Sequence, residues 1–170
     1  MMKPAKDKLL ASIFTNSPGL VNLWAKKADI VTNTSTPWAM AAEDILRGPV
    51  SLVTTAGIHL ISQPPFDMDD PEGDASFREI PSSAPAGALT ITHNYYDHRD
   101  ADADINVVFP VERLKDLEAE GFIGKIARRH FSFMGHIRGS RLERLVGETA
   151  PAVAAELKRD RVRAVVLTPS

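Results

Sequence analysis

Leu89 to Pro110 reads LTITHNYYDHRDADADINVVFP. It opens as a short β-branched run, Leu89-Thr90-Ile91-Thr92. It then passes through His93, Asp97, His98, Arg99, Asp100, Asp102 and Asp104, and regains apolar character at Val107-Val108-Phe109. An apolar strand that ends in an ionisable loop is the pattern of parallel α/β sheets, whose strand carboxyl ends converge on one crevice. The stretch therefore predicts an α/β fold: a mostly parallel sheet with helices on both faces, doubly wound in the Rossmann or flavodoxin manner.

Working outward, Val50 to Thr55 (VSLVTT) reads as a second, buried strand that runs straight into Ala56-Gly57-Ile58-His59. Ala164-Val165-Val166-Leu167 reads as a third, preceded by a helical stretch from Pro151 to Lys158 and a basic turn. The alternation through Arg128 to His136 predicts one more. Val111, Leu114 and Leu117 fall on one face of a helix that starts after Pro110 and is closed by Gly121, and Leu142 to Leu145 also has helical spacing. Near the start, Asn16-Ser17-Pro18 begins a short helix with Leu20, Leu23, Trp24 and Lys27 on one side, which makes Trp24 a core residue. Thr36-Pro37 begins another, with Trp38, Ala41, Ala42 and Ile45 as its apolar face and Gly48-Pro49 as its stop. Between Gln63 and Gly87, proline, serine, glycine and acids predict a long loop without regular structure, functional or disordered.

The 170 residues and 18.6 kDa predict one α/β domain over 1–170, with 1–16 flexible. A net charge of -2 from nearly balanced acids and bases argues against a nucleic-acid or membrane partner and favours a small molecule or a protein, an oligomer included. No run approaches a membrane span, and the apolar patch Leu9 to Phe14 is too short for a secretory leader, so a cytoplasmic protein is expected. There is no cysteine, hence no disulfide, thiolate metal site or cysteine nucleophile within these residues.

Thr54, Thr55, Gly57 and His59 sit where a strand delivers amides and a hydroxyl to a ligand, and are candidate substrate-binding residues. The bland alternative is that the threonines satisfy turn hydrogen bonds and His59 is an interior histidine. Asp74, Ser76 and Arg78 are candidates to hold a substrate carboxylate through the arginine's fork; an Arg78 that only holds its own loop is the alternative. His93 and Asp97 are the candidate catalytic pair, since a carboxylate fixes the tautomer of a histidine that titrates near neutrality. No metal is expected: Asp100, Asp102 and Asp104 lack the glycine and terminal glutamate of a calcium loop, and with His98 read as a solvated loop. Arg128, Arg129 and His130 read as a docking patch or as plain surface.

Several separate motifs occur in one order: Val53-Thr54-Thr55-Ala56-Gly57-Ile58-His59, Ser62-Gln63-Pro64-Pro65-Phe66, Gly73-Asp74, Ser76-Phe77-Arg78-Glu79-Ile80-Pro81, His93-Asn94-Tyr95-Tyr96-Asp97, Asn106 with Val108-Phe109-Pro110, and Phe133-Met134-Gly135. Together they resemble the selenoprotein B family, which holds the selenocysteine subunits of glycine, sarcosine and betaine reductases and the related subunit of D-proline reductase. The resemblance implies an oxidoreductase subunit for reductive cleavage of a carbon–nitrogen bond in a small amine or carboxylate substrate, by a selenol or thiol nucleophile. It further implies a pyruvoyl-containing subunit that holds the amine as a Schiff base, and a thiol electron donor. In such relatives the strand matching Ala164 to Thr168 is followed almost at once by selenocysteine or cysteine. The chain ends at Ser170, and the expectation is that codon 171 is a UGA for selenocysteine, with the 170-residue chain inactive as it stands. The alternatives are a degenerate paralogue, a non-catalytic module that binds a small carboxylate, and a proton-transfer enzyme relying on His93 and Asp97.

Overall fold

The computed structural model describes Ile13, residues 17–26 and residues 38–169. Two compact units divide it: Met1–Glu43 with Asn94–Asp97, and Asp44–His93 with His98–Ser170.

In the first unit, Ser17 accepts the amide of Leu20 (2.9 Å) and starts α1, Pro18–Ala25, as the proline and serine predict. Leu20 and Leu23 are exposed, and the Trp24 side chain lies outside the described residues. So do the Thr36-Pro37 cap and, Ile13 apart, the segment 1–16. The helix expected from Trp38 to Ile45 does not form. Residues 38–42 have no regular structure, and a single 3-10 turn, Ile45–Arg47, comes after them. Trp38 and Met40 are almost fully exposed, and a helix this short gains too little without burial to offset nucleation.

The second unit is built on β1, Pro49–Thr54, whose Val50, Ser51, Leu52 and Thr54 are buried. Proline opens the strand, where its missing amide is harmless. Along one side β1 pairs in parallel with β7, Ala164–Thr168, from Val50↔Ala164 to Thr54↔Thr168. Along the other it pairs in parallel first with β5, Lys125–Ile126, and then with β6, Arg129–Ser132. The ladder breaks between them. There the Leu52 amide donates not to backbone but to Nδ1 of His130 (3.0 Å). Outside β6 lies β3, Arg78–Pro81, antiparallel, giving the order β3, β6, β1, β7. The sheet is thus mixed, parallel except at the β3 edge.

Two expectations are corrected. Leu89–Ile91 forms β4, but it does not join the main sheet; it pairs antiparallel with β2, Ile58–Leu60, in a separate two-stranded ribbon. Gly57, at φ +71°, turns the chain off the end of β1, so that β2 leaves the sheet and β4 goes with it. The loop between Gln63 and Gly87 contains strand β3, because Pro81 closes an edge strand, where no inward amide is lost.

Strand alternation assigns the two faces. Phe131 and Phe133 pack with Val153 of α5, Ala150–Arg159, and with Val53 and Phe77. On the opposite face His130 meets Phe109 edge-on (5.6 Å, 79°), just before α3, Val111–Ala119, which buries Val111 and Leu114. A short α2, Arg99–Ala103, precedes these, and α4, Gly139–Arg144, runs through a π turn at Leu145–Thr149 into α5. Pro151 lies in the first turn of α5, the position that tolerates it. Arg129 is no surface charge: it donates to Glu79 (2.7 Å), Asp160 (2.6 Å) and Glu156, joining β3 to the end of α5. Among the described residues no helix is long and apolar enough to cross a membrane.

Candidate functional site

The carboxyl ends of β1 and β7 are tied together. The Thr54 hydroxyl shares its proton between the carbonyls of Val108 (3.0 Å) and Thr168 (3.1 Å) and accepts the Ala56 amide (3.2 Å). The Thr168 hydroxyl donates to the same Val108 carbonyl (2.9 Å), and the Thr55 amide donates to Thr168 (3.1 Å). Thr54 is fully buried and its hydroxyl engaged within the fold, while Thr55 is half-buried.

From Thr55 the chain crosses the end of β6. Gly57 donates to the Phe133 carbonyl (2.9 Å) and accepts the Thr92 amide (2.9 Å). A Cβ at Gly57 would lie 2.5 Å from the Thr92 carbonyl oxygen and 3.2 Å from the His93 Cβ, so glycine is required by close approach as well as by φ. Thr168 and His93 thus lie on opposite flanks of one loop, Thr55 to Gly57. His59 is satisfied on both ring nitrogens: Nδ1 donates to its neighbour's carbonyl at Leu60 (2.8 Å), which leaves Nε2 to accept from the Thr92 hydroxyl (2.8 Å).

Arg78 is engaged by its own loop. Nε donates to Pro64 O (2.9 Å), NH2 to Pro65 O (3.0 Å), and NH1 to Ser76 Oγ (2.8 Å) and Phe77 O (3.1 Å), with the guanidinium carbon 4.3 Å from the Phe66 ring centroid. Asp74 accepts the amide and hydroxyl of Ser76 (2.8 and 2.6 Å) and the Asp67 amide (3.1 Å). Burial works against its charge, but these hydrogen bonds prevail and hold the carboxyl below its usual range. The three residues expected to hold a carboxylate are together, and they hold one another.

His93 is buried, and its Nε2 accepts the Gly135 amide (3.1 Å), so the proton of the neutral ring is on Nδ1. Burial, reinforced by the charges of His136 and His98, lowers its pKa to about 4. It is a neutral imidazole at pH 7. Asp97 is grouped with the first unit and His93 with the second. Within the second unit, Nδ1 of His98 lies 2.7 Å from Oδ2 of Asp102. Sequence reasoning passes over this contact as solvated loop, although its i, i+4 spacing matches that of His93 and Asp97. It also reads His130 as patch or surface, whereas the ring is buried; strand alternation in Arg129 to Ser132 is the available signal.

Among the described residues no group of three or more histidine, cysteine, aspartate or glutamate side chains is placed to hold a metal ion. Two shallow clefts run along β3. One, of about 530 Å³, is lined by Gln63, Pro64 and Arg78; the other, of about 470 Å³, by Pro81, Arg128 and Asp160.

The family model described as glycine/sarcosine/betaine reductase selenoprotein B matches residues 21–170. D-proline reductase subunit gamma of Acetoanaerobium sticklandii is 36% identical over 131 residues, 77% of this chain and 52% of the relative. Glycine reductase complex component B subunit gamma of Carboxydothermus hydrogenoformans is 30% identical over 135 residues, 75% of this chain and 29% of the relative. Betaine reductase complex component B subunit beta of Peptoclostridium acidaminophilum is 26% identical over 132 residues, 76% of this chain and 30% of the relative. The chain spans about half the length of the first relative and under a third of the other two. No solved structure gives a significant match.

Proposed function

Since the chain belongs to the glycine/sarcosine/betaine reductase selenoprotein B family, we propose that it is the substrate-handling part of a reductase subunit that cleaves the carbon–nitrogen bond of a small amine or amino acid reductively. The observation that carries this reading is the joining of the carboxyl ends of β1 and β7 through Thr54, Thr55 and Thr168, with His93 on the far flank of the same loop. Carboxyl ends of parallel strands are where α/β folds assemble a reacting site, and within this proposal the sheet is read as doubly wound about β1.

A selenol or thiol, which this cysteine-free chain does not carry, would supply the nucleophile, with a pyruvoyl-containing subunit and a thiol donor as partners. The residues at hand fit a nucleophile borne just past β7, because Thr168 is in register with Thr54 at the carboxyl end of β1. Thr55 and the close-approaching backbone of Gly57 then face the substrate, and His93 holds the Gly135 loop against them. Thr54, His59, Asp74, Ser76 and Arg78 act at one remove, by fixing the loops they belong to.

Two measurements test this. Sequencing the gene beyond codon 170 is expected to give an in-frame UGA or cysteine codon and then a continuing reading frame; a different stop overturns the placement of the nucleophile. Assayed with a dithiol and with glycine, sarcosine, betaine or D-proline, the chain extended through that codon and supplied with its partner subunits is expected to release the amine or the ring-opened acid. The 170-residue chain is expected to release none, and turnover by it would sink the proposal.

A second reading, a module that binds a carboxylate without chemistry, would need a cation with donors to offer. Arg78, the cation expected for that role, already donates to four acceptors within its own loop, which favours the first.

A further inference from the structure

We infer that Thr168 is a positioning residue of this site. Its hydroxyl shares the Val108 carbonyl with that of Thr54, and so holds the end of β7 against a third segment, Asn106 to Pro110. A group borne just past the strand takes its place from that hold. This rests on the reductase reading and names a residue through which its site is held.

Thr168 is the last residue of β7 and of its register with β1, and among the described residues no strand pairs with the other side of β7. A strand end paired along one side only opens at little cost in free energy. Thr168 is held by side chain and backbone together. Its carbonyl takes the Thr54 hydroxyl (3.1 Å) and the Thr55 amide (3.1 Å), while its hydroxyl donates to the Val108 carbonyl (2.9 Å). A hydroxyl has one proton to give, so that bond also selects the χ1 rotamer of a β-branched side chain.

The Val108 carbonyl is a firm anchor. Val108 and Phe109 are buried, their amides both return to the Ile105 carbonyl (3.2 and 2.8 Å), and the Phe109 ring stands edge-on to His130. Asn106 secures the segment to α3: its Oδ1 accepts the Glu112 amide (3.1 Å) in the first turn, and its Nδ2 donates to Asp104 Oδ1 (2.9 Å). The ends of β1 and β7 are therefore joined to the capped start of a helix.

The two threonines are not equivalent. Thr54 is fully buried, and its hydroxyl serves two carbonyls and the Ala56 amide, so its loss leaves buried groups unpaired. Thr168 is half-buried, and without its hydroxyl the Val108 carbonyl still has Thr54. The Thr168 hydroxyl is thus dispensable for satisfying the fold, and what it adds is the placement of the strand end. A reacting group beyond β7 depends on that placement, since a shift of about 1 Å costs on the order of 10²-fold in rate.

The test has two readouts and uses Thr168→Val, which keeps the shape of the side chain, and Thr168→Ser, which keeps its hydroxyl. In the 170-residue chain the Thr55 amide donates to the Thr168 carbonyl. Thr168→Val is expected to speed hydrogen exchange at that amide about fivefold or more, with Thr168→Ser near wild type. Unchanged exchange in Thr168→Val overturns the proposal. In the extended protein with its partners, Thr168→Val is expected to lower kcat by roughly 10 to 10²-fold with KM little changed, and Thr168→Ser to restore it. Wild-type kcat in Thr168→Val, with KM raised or not, overturns the positioning role and leaves the reductase reading standing. No turnover in the wild type overturns that reading, and exchange at Thr55 alone then decides the hold on β7.

Discussion

Two histidines are held uncharged inside the second unit, His93 and His130, each with its pKa lowered to about 4. Burial is the main cause for both; His136 and His98 add to it at His93, and Lys115 at His130. A depressed histidine is proton-free in the fold and protonated in the unfolded chain below about pH 6.5. The stability it contributes is therefore fully present above pH 6.5 and is lost as pH falls towards 4. At pH 5 each is expected to have withdrawn roughly 2 kcal/mol. Urea denaturation at pH 7 and pH 5 measures the loss, and His130→Gln, whose amide oxygen can still take the Leu52 amide, should remove about half of it. A midpoint unchanged between the two pH values would contradict the burial of both rings. Sequence alone marks His93 as a residue of interest from its place after an apolar run. It does not supply the charge state, which depends on what packs around the ring from Gly135 and His136.

At the scale of elements, the strands and helices with strong periodicity are where the sequence puts them: β1, β6, β7, α3 and α5. What failed was the assignment of Leu89–Ile91 to the main sheet. A three-residue apolar run fits a parallel sheet or an antiparallel ribbon equally well, and the choice was made by Gly57 leaving the sheet. The loop holding Gly73 is fixed in a comparable way. At φ +86°, Gly73 packs against the His136 carbonyl with no room for a Cβ, and Gly73→Ala is expected to cost at least roughly 3 kcal/mol. Gly121, at φ +75° but with open space around it, should lose only about 1 kcal/mol on the same change. Equal losses in thermal denaturation would show that the clash at Gly73 is relieved. Arg129 joins β3 to α5 through three carboxylates, at 24% side-chain exposure. Arg129→Ala should cost about 2 kcal/mol, discounted for that exposure, and Arg129→Lys should recover little, because one ammonium cannot replace a fork aimed at three partners.

At the scale of the whole molecule, β7 forms the outer edge of the sheet among the described residues, and Val165, Val166 and Leu167 are all exposed on it. An apolar edge strand with no charge or proline along it is a template for strand pairing. The 170-residue chain is therefore expected to associate with rising concentration, and Val166→Lys to suppress that association in light scattering. A monodisperse wild type at high concentration would count against it. Thr54, Thr55, Gly57 and His93 were legible as residues of interest, but Arg78, chosen as a carboxylate clamp, has its donors engaged by Pro64, Pro65, Ser76 and Phe77.

The sequence by itself determined the family, the α/β class and the positions of the long periodic elements, because hydrophobic spacing and ordered motifs are written along the chain. Only the tertiary structure decided which polar side chains are already satisfied. Hydrogen bonds saturate: Arg78, His59 and Thr54 are closed within the fold by partners distant in sequence. Spacing alone does not mark His98 and Asp102 as partners, and it is the fold that brings Nδ1 of one to 2.7 Å from Oδ2 of the other.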